Sequence, residues 1–193
     1  QRPALMIEKT LNQSRRLSLW LVWIGGLLII CSAFLVTVEV FLRKFFNISI
    51  GGADELSGYA FGVATSLGLA YALHERAHIR VDALYLVLPK SLQILTNIFG
   101  ITLLIGFAGI ISWMAWGLVN DTLEFGSRSI TPMRTPLAIP QLPWLFGWLF
   151  FVLTGAVILI TALVRLLSGD LQGFERLVGI KSIEDQIEDE STL

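Results

Sequence analysis

Residues 17–38 read LSLWLVWIGGLLIICSAFLVTV, with no Asp, Glu, Lys, Arg or His among them. A bilayer hydrocarbon core of about 30 Å is crossed by about 20 apolar residues in helical form. Inside lipid, a helix satisfies every backbone N–H and C=O within its own segment. The stretch therefore predicts a membrane-spanning helix. A cleaved secretory signal fits it poorly, because the apolar run is too long and no small-residue cleavage site follows. The string Leu28-Ile29-Ile30-Cys31 is likewise a poor lipoprotein box, since Ile30 is too large to precede the cut.

Outward from this stretch, three more long gaps separate the ionisable residues: Leu56 to Leu73, Ser91 to Asn120 and Thr135 to Val164. The third span exceeds the minimum length, which implies tilt or extension beyond the core. The fourth gap opens with Pro136, Pro140 and Pro143. Proline is tolerated in a first helical turn and disrupts an interior, so that helix is expected to begin near Pro143. Composition agrees with four spans. Apolar residues make up 54% and charged residues 15%, against roughly 25% charged in an average globular domain, and mean hydropathy is +0.72. The net charge of −1 leaves no basic excess for nucleic acid. The single cysteine, Cys31, has no partner for an internal disulfide.

Lysine and arginine set the orientation. One side receives Arg2, Lys9, Arg15, Arg16, Arg76, Arg80, Lys90, Arg165, Arg176 and Lys181; the other receives Arg43, Lys44, Arg128 and Arg134. That asymmetry predicts both termini in the cytoplasm. Trp20, Trp23, Trp113, Trp116, Trp144 and Trp148 all fall near span ends, where amphipathic rings collect. The expected fold is an all-α membrane protein of four transmembrane helices with additional amphipathic surface helices. In segments, residues 1–16 read as an amphipathic cytoplasmic-face helix from the spacing of Ala4, Ile7 and Leu11. Residues 17–168 form the transmembrane domain, with spans at about 17–38, 56–73, 92–119 and 143–164. Residues 169–193, with Glu184, Asp185, Glu188, Asp189 and Glu190, read as an acidic tail or linker. Val81, Leu84, Tyr85 and Leu88 suggest a second surface helix ending at Pro89. No internal repeat of the inverted-topology kind is visible.

Several residues invite a chemical reading. His74-Glu75-Arg76-Ala77-His78 fits H-E-x-x-H, which on a helix aligns two zinc ligands and a general base. A membrane-embedded zinc metalloprotease is thus the rival from the enzyme class. Arg76 and Arg80 weaken it, because cations near a divalent metal raise its energy. Of the possible third ligands, Asp121 and Glu124 should lie near the opposite membrane face, and Asp82 is close enough only if the helix breaks. Glu39 and Arg43 stand four apart in the favourable order for a side-chain pair. Asp54 and Glu55 open the second span, where the helix dipole stabilises carboxylates and Asp54 is placed to cap. Gly58, Gly62, Ser66 and Ala70 recur every fourth residue, predicting a helix-packing face, since close backbone approach supplies packing energy in lipid. No Asp, Glu, Lys, Arg or His lies deep in any span, so the chain lacks the midplane groups a stand-alone transporter uses.

The order Arg43, Asn47, Asp54-Glu55-Leu56, Leu67-Gly68-Leu69-Ala70 and His78-Ile79-Arg80-Val81-Asp82 resembles the small membrane subunit of TRAP transporters, the tripartite ATP-independent periplasmic transporters. Thr135-Pro136-Leu137-Ala138-Ile139-Pro140 with Pro143-Trp144 resembles that family's approach to its last helix. The likeness covers roughly residues 15–168. It departs before Glu55, where the family often has Trp-Ser and this chain has Gly52-Ala53-Asp54. The resemblance implies a bacterial inner-membrane subunit that is not an enzyme and carries no cofactor, catalytic residue or substrate site. Its implied partners are a large membrane subunit, which moves sodium and substrate, and a periplasmic binding protein delivering an organic acid. It also makes Arg43, Glu55, His78, Arg80 and Asp82 structural or interface residues, the last three fixing the turn after the second helix. A generic scaffold for another membrane complex is the remaining alternative.

Overall fold

The computed structural model describes residues 2–76 and 88–179, with side chains from Glu8 onward. His78, Arg80, Asp82, most of the expected surface helix over 79–92 and the acidic residues of the tail lie outside the described residues. Among the described residues five helices follow in order: α1 (Arg2–Phe46), α2 (Ala53–His74), α3 (Lys90–Phe125), α4 (Ala138–Leu167) and α5 (Leu171–Val178). The first four are long and apolar enough to cross a membrane. Their outer surfaces bear Phe34, Leu103, Trp113 and Leu153 in the open, an apolar surface far beyond what a water-soluble monomer exposes.

The helices stand in a row ordered α1, α2, α4, α3, because the extensive contacts are α1 on α2, α2 on α4 and α4 on α3. Close approach sets this order. A Cβ on Gly25 of α1 would lie 3.2 Å from the Ala64 backbone of α2. A Cβ on Gly147 of α4 would come within 2.5 Å of Ser66 Oγ and 2.7 Å of the Ser66 carbonyl carbon. Without side chains at these points the backbones approach and gain the packing contact that lipid does not otherwise provide. Leu21, Val63, Leu67, Ala70 and Phe150 fill the α1–α2–α4 junction. Leu73, Ile101, Phe151 and Ile158 fill the space between α2, α3 and α4, where Phe174 and Val178 of α5 join them.

Two element boundaries differ from the sequence expectation. The amphipathic segment over 1–16 is not a separate helix: α1 runs unbroken for 45 residues, about 67 Å at 1.5 Å per residue. No Gly or Pro lies between Ala4 and Ile24 to kink it. The N-terminal part instead meets α4 and α5, with Leu11 beside the Phe174 cluster and Glu8 3.6 Å from Arg165. The fourth span begins at Ala138, before Pro143 rather than at it. Pro140 stands in the first turn, where backbone N–H groups have no intrahelical partner. Pro143 deletes only the bond that would reach the Ile139 carbonyl, and a turn from Pro136 to Ile139, closed at 3.1 Å, already starts the helix.

Candidate functional site

Charged groups gather at the two ends of the row. At the end formed by the C-terminus of α1, Glu39 and Arg43 face each other across one turn, 2.9 Å apart. Asn47 and Gly51 take positive φ values of 52° and 75°, which turns the chain back over this pair. Ser49 Oγ then donates to Glu39 at 2.7 Å and the Ile50 N–H donates at 2.8 Å. Glu39 is 2% exposed, so a buried carboxylate holds the α1–α2 connection through three donors. A buried acid is stable when its lone pairs are occupied in this way.

The α2 start completes this end. Gly52 occupies the cap position without a side-chain bond, and Asp54 stands exposed in the first turn, so Asp54 is not the cap. Glu55 turns inward and accepts from Tyr59 at 2.8 Å and from the Thr131 hydroxyl. Thr131 belongs to the α3–α4 loop, which is braced by a bridge between Arg128 and Pro136 and by Ser129 N–H to the Thr135 carbonyl at 2.9 Å. Glu39, Arg43, Ser49, Asp54, Glu55 and Thr131 thus surround a polar cleft of about 190 Å³. Buried Glu39 and half-buried Glu55 each accept several hydrogen bonds. The arrangement joins α1, α2 and the α3–α4 loop.

At the opposite end, α2 stops at His74; Glu75 is its C-cap and Arg76 takes a positive φ of 56°. The helical i, i+4 alignment that H-E-x-x-H needs for a zinc site therefore ends at its first residue. His74 Nε2 lies 3.0 Å from Ser14 Oγ, which in turn lies 3.2 Å from Thr154 Oγ1. Glu75 accepts from Arg15 at 2.9 Å. Side chains of α1 thus engage the first two members of the motif, and the third, His78, is outside the described residues. Among the described residues, no three metal-ligating side chains cluster. Farther along, Arg165 donates to the Gly173 carbonyl at 2.8 Å, and Asp170 caps α5 by accepting the Gly173 N–H at 2.9 Å. Helix α5 lies within residues 169–193, the segment expected to be an acidic tail or linker. Its signal was present in Phe174, Leu177 and Val178 at helical spacing behind a capping Asp170.

The stripe on α2 divides. Ser66 and Ala70 are buried, with Ser66 against Gly147 of α4. Gly58 and Gly62 instead border an apolar groove of about 150 Å³, whose far wall is Pro140 and Trp144. Of the residues the family resemblance marked, the structure places Arg43 and Glu55 on one cleft.

A family model for the DctQ component of the tripartite ATP-independent periplasmic transporters matches residues 32–169. Comparison with curated proteins gave no match, and comparison with solved structures gave none. The matched segment contains both α1–α2 and α3–α4 connections and all of α2, α3 and α4. The chain belongs to the DctQ-component family and is the small membrane component of such a transporter.

Proposed function

We propose that this DctQ component is the stationary membrane subunit of its transporter: it transports nothing alone and buttresses a large membrane subunit that does. In this reading the complex takes up organic acids, carboxylates above all, by coupling to sodium, and a periplasmic binding protein delivers them. The subunit lies in a bacterial inner membrane with both termini cytoplasmic, as the uneven distribution of Lys and Arg favours.

The observation that carries this reading is the confinement of charge to the two ends. Between them, Ser66 donates to the Val63 carbonyl at 2.9 Å, Ser112 to Ala108 at 2.8 Å and Thr161 to Val157 at 2.7 Å, each on its own helix, while Thr154 meets Ser14 of α1 at 3.2 Å. A cation or carboxylate crossing the bilayer needs groups near the midplane that replace its water. The four spans offer no Asp, Glu, Lys, Arg or His there. The α2–α4 contact at Gly147 and the cleft at Glu39 and Glu55 are joints of a framework.

Reconstitution tests this directly. The purified chain in liposomes should show no substrate-dependent sodium uptake. Uptake should appear when the large subunit and the binding protein are supplied, and should fall when this chain is left out. Substrate-driven sodium flux from the chain alone would overturn the proposal.

A further inference from the structure

Among the described residues, one face of α1 has no protein neighbour, and that face has a layered composition. Trp20 and Trp23 are 70% and 71% exposed, and Leu27, Ile30 and Phe34 follow in the same open line. Their spacing of three and four residues keeps them on one side of the helix. Ser18, Leu21 and Gly25 on the other side are buried toward α2.

Continued toward the N-terminus, the open line reaches Arg16 and then Lys9, both exposed. Neighbouring Arg15 leaves the helix about 100° around from it and pairs with Glu75 at 2.9 Å. Arg16 and Lys9 have no carboxylate partner among the described residues. Arg16 precedes Trp20 by one helical turn, about 6 Å along the axis. Headgroup layers add roughly 5–7 Å to each side of the hydrocarbon core, and tryptophan rings settle at their inner boundary. The cation therefore falls at the depth of lipid phosphate, beyond the Trp pair, with aliphatic and aromatic side chains below at acyl depth.

We infer that the open face of α1 is seated in lipid, not against another chain, and that Arg16 holds the phosphate headgroup of an anionic phospholipid there. The occupant follows from the layering: a cation with no acid partner among the described residues, then an indole pair, then apolar side chains reproduces the depth profile of a phospholipid. A transmembrane helix as partner would meet two large, outstanding indoles where helix contacts favour small residues. The large subunit then docks on a different side of the row. The inference needs only that the helices span a bilayer, and so stands or falls separately from the stationary-subunit reading.

Cys31 is exposed beside this face and is the only cysteine, so a fluorophore placed on it reports what covers α1. The labelled full chain, alone and in complex with the large subunit, would be placed in nanodiscs holding acyl-brominated phosphatidylglycerol or phosphatidylcholine. The expected result is quenching that the large subunit does not relieve and that favours brominated phosphatidylglycerol in a mixture. Arg16→Gln should weaken that preference about fivefold, the effect of one cation at an anionic surface; Lys9→Gln, beyond the headgroup layer, should change it far less, and Arg16→Lys should retain it. Loss of quenching on adding the large subunit, or on raising the concentration of the chain alone, would assign the face to a protein neighbour and overturn the inference. Equal quenching by both lipids, unchanged in the Gln variants, would remove the anionic headgroup.

Discussion

In the half of α2 nearer its N-terminus, Gly58 and Gly62 look onto an open groove; in the other half, Ser66 and Ala70 are closed against neighbouring helices. The same four-residue repeat serves both halves. The difference is made by α4, which brings Gly147 to Ser66 but sets Pro140 and Trp144 back from the two glycines. The ends of α2 differ in a parallel way. Glu55 is tied to a loop through Thr131, whereas His74 and Glu75 are tied to the long helix α1 through Ser14 and Arg15. Small residues permit close approach, and only the partner decides whether it occurs.

The largest effect should come from closing the gap at the packed half. Gly147→Ala puts a methyl group against the Ser66 backbone, which cannot swing aside, and overpacking of this kind costs about 1–3 kcal/mol. The melting temperature of the purified protein should fall by several degrees, while Gly62→Ala should stay within about 0.5 kcal/mol of the native chain. Equal losses at the two glycines would erase the contrast between the halves.

A smaller effect is expected at the C-terminal end of α2. Ser14→Ala and His74→Ala should each cost about 1 kcal/mol, the usual net value of one hydrogen bond. Because they share that bond, the double variant should lose less than the sum in denaturant titrations. Strict additivity would show that the two side chains act separately. The neighbouring pair should matter less still. Arg15→Gln or Glu75→Gln should cost about 1 kcal/mol or less, as partly exposed pairs do, and the cost should shrink in high salt. A salt-independent loss would mean the pair is more enclosed than its geometry indicates.

The smallest global effect belongs to Glu55→Ala. It should leave the melting temperature nearly unchanged but loosen the loop over residues 126–137, raising its cleavage by protease in detergent. A loop that stays resistant would show that the Arg128–Pro136 bridge holds it without Glu55.

The extent to which these features could be read beforehand follows their range along the chain. The four spans were legible because each is a property of one uninterrupted apolar segment. The Glu39–Arg43 pair was legible because four residues on a helix share a side. Glu55 and Thr131, 76 residues apart, and Ser14 and His74, 60 apart, leave no local trace of their pairing. The order of the row was hidden for the same reason, since Gly25 and Gly147 resemble many other glycines until their partners are known. The start of α4 was misjudged at Pro143 because a proline in the second turn looks like a boundary, although it removes a single bond. The continuity of α1 was obscured by its amphipathic first turns, which look like a surface helix when taken alone.

The row order also has a consequence in time. A ribosome delivers α1 and α2 together, and they meet as soon as both are in the bilayer. The next helix to emerge, α3, finds its main seat not yet made, because that seat is on α4. Until α4 arrives, α3 has only lipid along most of its length. The helix between them in space is thus the one that follows in synthesis, and its arrival joins α2 on one flank and α3 on the other. Chains that stall before residue 138 should therefore be held as one pair and one solitary helix, an intermediate open to membrane quality control.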